Sequence, residues 1–332
     1  MATLQSNALT LADHAKRLDP DGKTPMIVEM LSQSNEILDD MLFIEGNLPT
    51  GHRTTVRTGL PTVAWRLLNQ GVQPSKSTTA QIDEQCGIME AWSEVDKEVA
   101  ELNGNVGSFR LSEASSFIEA MSQEKASTLF YGNSGVAPEE FTGLAPRYSS
   151  LSADNAQNIV DAGGDAAADK SSIWLVVWGQ NSVCGIYPKG SQAGLQHEDL
   201  GLVTIEATAG IAGNRLRAYQ DHFTWKCGIA LKDWRYAVRI PNIKVADLAA
   251  GSGPDLIDLM IKAMHRIPNL NGGKAAFYMN RSCIQYLDIE RRGDVKSGGM
   301  TYAEVDGKLV PHFRGVPIRT TDALTETESQ VS

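Results

Sequence analysis

Three places in this chain collect residue types that can do chemistry. His197-Glu198-Asp199 sets an imidazole beside two carboxylates, a set that could bind a cation. Between positions 83 and 101 stand Asp83, Glu84, Glu90, Glu94, Asp96, Glu98 and Glu101, with Lys97 as the one base. Such a run could supply a general acid and a general base. Asn271-Gly272-Gly273-Lys274 has the outline of a phosphate-binding loop.

None of the three completes the pattern its chemistry needs. Ala275 follows Lys274 where a phosphate loop has Ser or Thr, so a turn between helix and strand explains the segment better. No two of the six histidines lie within five residues of each other, which excludes H-E-x-x-H and similar zinc spacings. A solvated loop is the simpler account of 197–199. There is no G-x-S-x-G, no G-x-x-x-x-G-K-[ST] and no G-x-G-x-x-G. Cys86, Cys184, Cys227 and Cys283 are far apart with no C-x-x-C, as expected of four buried reduced thiols. The sequence therefore names no catalytic, cofactor-binding or metal-binding residue.

Bulk properties narrow the classes further. The chain has 30 basic and 40 acidic residues, a net charge of −10. Nucleic-acid binders usually show the opposite sign, because their affinity comes from neutralising phosphates. A nucleocapsid-type binder is thus disfavoured, although an acidic wall could still enclose DNA without adhering to it. The longest apolar run, Ile173–Trp178, has strand length, far short of the ~20 residues that span a bilayer. The first eighteen residues lack the apolar core of a secretory signal, so the protein is expected to stay in the compartment that made it.

The elements that must position these residues alternate irregularly, which reads as α+β. Helices are expected at Leu9–Leu18 and from Thr24-Pro25 through an apolar stripe of Ile27, Leu31, Ile37, Leu38 and Leu42, closed by Gly46-Asn47. A long helix is expected over 109–131, capped by Ser112 and stopped at Gly132-Asn133. Residues 133–170 read as an exposed, loop-rich connection. Strands are expected at Ile173–Trp178, Gly201–Ala207, Arg217–Gly228 and Trp234–Ile240. Helices then follow at Pro254–His265, capped by Ser252 or Gly253, and at Asn280–Glu290. A final hairpin spans Thr301–Asp306 and Lys308–Ile318, and a short acidic tail follows Leu324.

One stretch stands out on charge alone. From Gly46 to Ile82 there is no Asp or Glu, while Arg53, Arg57, Arg66 and Lys76 are present. Thr54–Thr58 and Thr62–Leu67 around Gly59-Leu60-Pro61 read as a hairpin, and a polar run, Asn69–Thr79, follows. The acidic run 83–101 comes directly after. A basic hairpin with little apolar alternation buries little by itself. It either folds back on its own acidic neighbour or reaches the acidic patch of an identical subunit, and the second is favoured. The expected interface residues are Arg53, Arg57, Trp65 and Arg66 on one side and Glu90, Glu94 and Glu98 on the other.

Three segments carry a resemblance. They are Trp174-Leu175-Val176-Val177-Trp178-Gly179 with Tyr187-Pro188-Lys189-Gly190-Ser191 and Ala193-Gly194-Leu195; Arg239-Ile240-Pro241-Asn242-Ile243 with Tyr278-Met279-Asn280-Arg281; and Phe313-Arg314-Gly315-Val316-Pro317-Ile318 running to Asp322-Ala323-Leu324. Together they resemble the major capsid proteins of tailed bacteriophages with the Hong Kong 97-type fold, and are most similar to the Bordetella-type short-tailed group. The resemblance implies an N-terminal arm at 1–46, an extended loop at 47–90, and a peripheral domain at 91–244 around a spine helix at 109–131. It further implies an axial domain at 245–315 and a C-terminal strand and tail at 316–332. It also implies a virion protein whose main partner is many copies of itself, assembled as pentamers and hexamers around double-stranded DNA without sequence-specific binding. Scaffolding, portal and decoration proteins would be separate partners, and no membrane is involved. Lys76 is the only lysine in the implied loop and no supporting motif surrounds it, so no lysine–asparagine cross-link is expected. The alternatives are an encapsulin-like compartment and a cation-dependent hydrolase built on the carboxylates.

Overall fold

In a computed structural model, residues 32–102, 105–165, 167–206, 215–293, 300–305 and 308–332 are described. The strands in chain order are β1 (Phe43–Glu45), β2 (Gly51–Gly59), β3 (Thr78–Gln85), β4 (Gly87–Asp96), β5 (Lys170–Trp178), β6 (Val183–Tyr187), β7 (Leu195–Glu206), β8 (Arg215–Leu231), β9 (Ala237–Lys244), β10 (Lys274–Met279), β11 (Met300–Val305), β12 (Lys308–Phe313) and β13 (Val316–Thr320). The mixture of helices and strands is α+β, as the irregular alternation predicts. The chain divides into two compact units, one holding Ile88–Ala126 and Gly194–Lys226, the other Asn35–Gly87, Ser127–Ala193 and Cys227–Ser332.

The larger unit is organised on β5. Every residue of β5 is buried. Its continuous apolar run, in place of alternation, is what a strand covered on both faces requires. β9 and β10 each pair with it antiparallel, β13 pairs parallel with β10, and β1 pairs parallel with β6. The helix Leu256–Met264 buries Leu256, Leu259, Met260 and Ala263, at the i, i+3, i+4 and i+7 positions of one face. They meet Ile173, Leu175, Val177, Val238 and Ile240 from the sheet and Cys283 and Leu287 from the helix Arg281–Gly293 in one core. β12 turns into β13 at Arg314-Gly315, with φ of 48° and 86°. Phe313 pairs with Val316, so the loop has two residues, a geometry that needs positive φ at both.

The smaller unit sets β7 antiparallel to the first part of β8. Val95, Ala100 and Phe109 form a small core with Tyr219, and the rings of Phe117 and Phe223 stack at 6.0 Å.

Several local expectations give way to tertiary partners. The helix at Leu9–Leu18 and the start at Thr24–Leu31 lie outside the described residues. The remainder of that stripe is a single turn, Ile37–Asp40, followed by β1, because the backbone of Phe43–Glu45 completes a ladder with β6. The return strand of the basic hairpin is Thr78–Gln85, not Thr62–Leu67; Thr62–Leu67 forms no strand, although the Thr62 carbonyl accepts from Ser75 at 2.7 Å. The long helix begins at Val106, where Asn105 Oδ1 accepts from the Ser108 amide, and Ser112 sits inside it. Gly132 ends it in tight contact, since a Cβ there would lie 2.6 Å from the Phe141 carbonyl. Asp255, not Ser252 or Gly253, caps Leu256–Met264. Trp234–Tyr236 is a 3-10 turn held by Asp233, so that strand starts at Ala237. Phe141, Leu144 and Tyr148 are buried, so 133–170 is not uniformly exposed. The Tyr148 hydroxyl donates to the Trp234 carbonyl at 2.6 Å, which explains why a loop-like segment is held inside.

Candidate assembly surfaces

The hairpin β2–β3 belongs to the larger unit and changes character along its length. Its root is clamped. The Arg147 guanidinium donates both ways to the buried Glu84 carboxylate at 2.6 Å and also to the Thr142 and Gly143 carbonyls. Asn47 accepts from the Arg53 amide and donates to its carbonyl, each at 2.7 Å. In the middle, Arg53 sits across from Asp83 and forks onto it at 2.6 and 2.7 Å. The hydrogen bonds from Arg53 hold the Asp83 carboxyl below the usual range. Part of the basic ribbon is therefore neutralised by the acid that follows it in the same chain.

The tip, 60–77, carries no regular structure and displays large apolar side chains. Trp65 is fully exposed, and Leu60, Val63, Leu67 and Leu68 are nearly so. Arg57, Arg66 and Lys76 have no ion-pair partner among the described residues. A contiguous exposed set of this kind marks a surface that a partner covers.

Glu90, Glu94 and Glu98 belong to the smaller unit. Glu90 lies 3.5 Å from His222, Glu94 accepts from Gln220 at 2.9 Å, and Glu98 stands exposed beside Lys97. Between them, Ile88 and Trp92 also face outward on β4, and Trp92 stacks on His222 at 4.0 Å. These two apolar residues are legible in the sequence by their spacing, since Ile88, Glu90, Trp92 and Glu94 alternate along β4 as one strand face should.

The other chemical candidates are occupied. His197 is in β7, not in a solvated loop, and pairs through Nε2 with the buried Asp221 at 2.9 Å while stacking on Phe223. Arg110 holds Asp221 at 2.7 Å and Asp199 at 2.5 Å. Ion pairing thus fills the coordination that a cation would have used. No group of three or more His, Cys, Asp or Glu able to hold a metal exists among the described residues. Leu270–Gly272 is the expected turn, and Lys274 pairs with Asp40 at 2.6 Å. The four cysteines are free, three of them buried and Cys86 half-buried.

Trp178, Tyr278 and Arg319 meet at one polar cluster. Trp178 Nε1 donates to the Tyr278 hydroxyl at 2.7 Å, which donates to the buried Asp40 at 2.9 Å. Arg319 reaches Asp40 at 3.2 Å and Glu36 at 3.0 Å. The Ala323 amide donates to Asn35 Oδ1 at 3.1 Å, and Arg281 forks onto Asp322. Trp178, Tyr278 and the stretch after Gly315 thus hold residues 35–40 onto the sheet. Over residues 19–332 the chain matches the family model described as Major capsid protein GP7.

The chain belongs to the GP7 major capsid protein family. A chain of the cryo-electron-microscopy structure of bacteriophage epsilon15 is 33% identical to it, with a TM-score of 0.78, covering 100% of this chain and 99% of that one. The capsid of a native GTA particle is 10% identical, with a TM-score of 0.46 over 68% of this chain and 95% of that one. A holo-SrpI encapsulin complex from Synechococcus elongatus is 13% identical, with a TM-score of 0.44 over 71% and 97%. No curated protein matches. As a GP7-family major capsid protein, the chain has the Hong Kong 97-type fold and is a structural subunit of the tailed-phage virion. No helix among the described residues is long and apolar enough to cross a membrane.

Proposed function

We propose that this major capsid protein closes an icosahedral head around double-stranded DNA by laying the tip of its β2–β3 hairpin on a neighbouring copy, within pentamers and hexamers. The carrying observation is the fully exposed Trp65 among Leu60, Val63, Leu67 and Leu68 on a hairpin whose root is clamped. A buried side chain of this size is worth about 1.5–3 kcal/mol, while exposed ion pairs give ~0–1 kcal/mol. Affinity then comes from the apolar tip. Arg57 and Arg66, facing acids such as Glu90, Glu94 and Glu98 of the neighbour, set orientation. Arg53 has a smaller part, because Asp83 already holds it.

In this reading residues 1–46 are the arm, 47–90 the overlapping loop, 91–244 the peripheral domain, 245–315 the axial domain and 316–332 the closing strand and tail. The subunit does no catalysis, and scaffolding, portal and decoration proteins are separate chains. The family match supports a phage head over an encapsulin-like compartment or a hydrolase. The resemblance of Trp174–Gly179, Tyr187–Ser191 and the stretch after Phe313 supports a relationship to the Bordetella-type short-tailed group.

The test replaces Trp65, Leu67 and Leu68 with Ser and follows particle formation by negative-stain microscopy. A variant that melts like the parent yet stays unassembled is the expected result. Normal particles from that variant sink the tip-docking reading.

A further inference from the structure

Along β2 of the same hairpin, on the larger unit, lies a cleft of about 570 Å³. That volume falls within the roughly 300–1,000 Å³ of sites that receive a ligand or an inserted side chain. One wall is the β2 segment from Thr54 to Arg57; the other is Asn181 and the turn from Lys232 to Arg235. The turn is rigid. Asp233 accepts from the Arg235 amide at 3.0 Å and from its guanidinium at 3.0 and 2.7 Å, so those two charges cancel. Arg57 has no ion-pair partner among the described residues, and Lys232 donates to the Gln180 carbonyl alone at 2.9 Å. Two positive charges among the lining residues are left over, in a chain whose net charge is −10. The charge of Lys232 reaches the neighbouring His52, where Glu84 opposes it. Burial lowers the imidazole's proton affinity first, and the charge of Lys232 lowers it further. The half-buried Trp234 lines the same cleft.

We infer that this cleft is a socket for a carboxylate carried by a second copy of the chain, clamped between Arg57 and Lys232 with an apolar neighbour lying on Trp234. A duplex phosphate backbone is the poorer fit, because it needs an extended basic stripe and not two cations inside a cleft. Copies of this acidic chain present carboxylates in excess, so charge complementarity favours self-contact. The inference rests on the shell-building role but not on where the tip 60–77 docks. It assigns the hairpin a second contact, along β2, that receives where the tip inserts.

The experiment compares Lys232 in unassembled subunits, in particles assembled without DNA and in DNA-filled heads. An amine-acetylating reagent read by mass spectrometry reports its access, and a carbodiimide links it to any carboxylate in contact. Particles mixed from isotopically light and heavy copies separate links between copies from links within one. The socket requires that Lys232 acetylation fall at least tenfold in DNA-free particles relative to subunits, with carbodiimide links to Asp or Glu of another copy. It requires also that Arg57→Glu particles lose that link. Equal acetylation in subunits and DNA-free particles overturns the inference, as do links confined to one copy. Protection that appears only in DNA-filled heads assigns the cleft to phosphate and overturns it as well. If the parent chain forms no particles at all, the shell-building role fails instead, and that result is distinct from the others.

Discussion

The Arg239 guanidinium donates to the Glu328 carboxylate at 2.8 Å, and both side chains are about 5% exposed. Glu328 also accepts from the Tyr131 hydroxyl at 2.5 Å and from Ser172, while Val331 and Asn242 exchange hydrogen bonds at 2.9 Å. The acidic tail is therefore a strap tied across β5 and β9.

Removing one partner of a buried pair leaves an uncompensated charge. Glu328→Ala should lower subunit stability by about 3–5 kcal/mol. Arg239→Met with Glu328→Leu should recover most of that loss, because an apolar pair leaves no charge buried. Urea denaturation of the unassembled subunit measures both; a single variant as stable as the parent removes the strap.

Gly315 has φ of 86° with open space where a Cβ would stand, so the constraint is conformational and not steric crowding. Gly315→Ala should cost about 1–2 kcal/mol, the left-handed penalty for an L-residue. Gly71→Ala in the exposed tip, at ordinary φ, should stay within about 0.5 kcal/mol. Thermal melting of the two variants side by side checks the contrast.

Burial pushes the Cys86 and Cys283 thiols up to about 12. An unfolded thiol titrates near ~8.5, so both states are protonated below that pH and these thiols do not affect stability there. Above it the unfolded chain ionises first, and stability should fall with rising pH until about 12. In the native subunit both thiols should resist iodoacetamide at pH 8.5 and react once urea is added. Fast native alkylation of Cys283 contradicts this.

Arg53 and Asp83 face each other across the hairpin. Arg53→Glu should loosen 51–59, seen as faster amide exchange there, and Asp83→Arg in the same chain should restore it. Rescue that fails means the pair does not hold the hairpin in register.

Local pattern determined a good deal on its own. The apolar run Ile173–Trp178 reads as a strand from its length and residue types, and the structure buries every residue of it. The acid-free stretch 46–82 marked a segment with little core of its own, whereas Lys308–Ile318, which reads as one arm of the final hairpin, is broken by the turn at Arg314-Gly315 into β12 and β13. The absence of nucleophile, phosphate and zinc patterns left no site to build. What only the tertiary structure decided is who pairs with whom. Arg53 answers to Asp83, His197 to Asp221, and Arg239 to Glu328 across 89 positions. Charge and hydrogen-bonding partners are set by distance in space, and a chain read by neighbours carries no record of it. For the same reason the return strand of the hairpin lay at 78–85, because register follows which backbone groups find mates and not which residues favour strands.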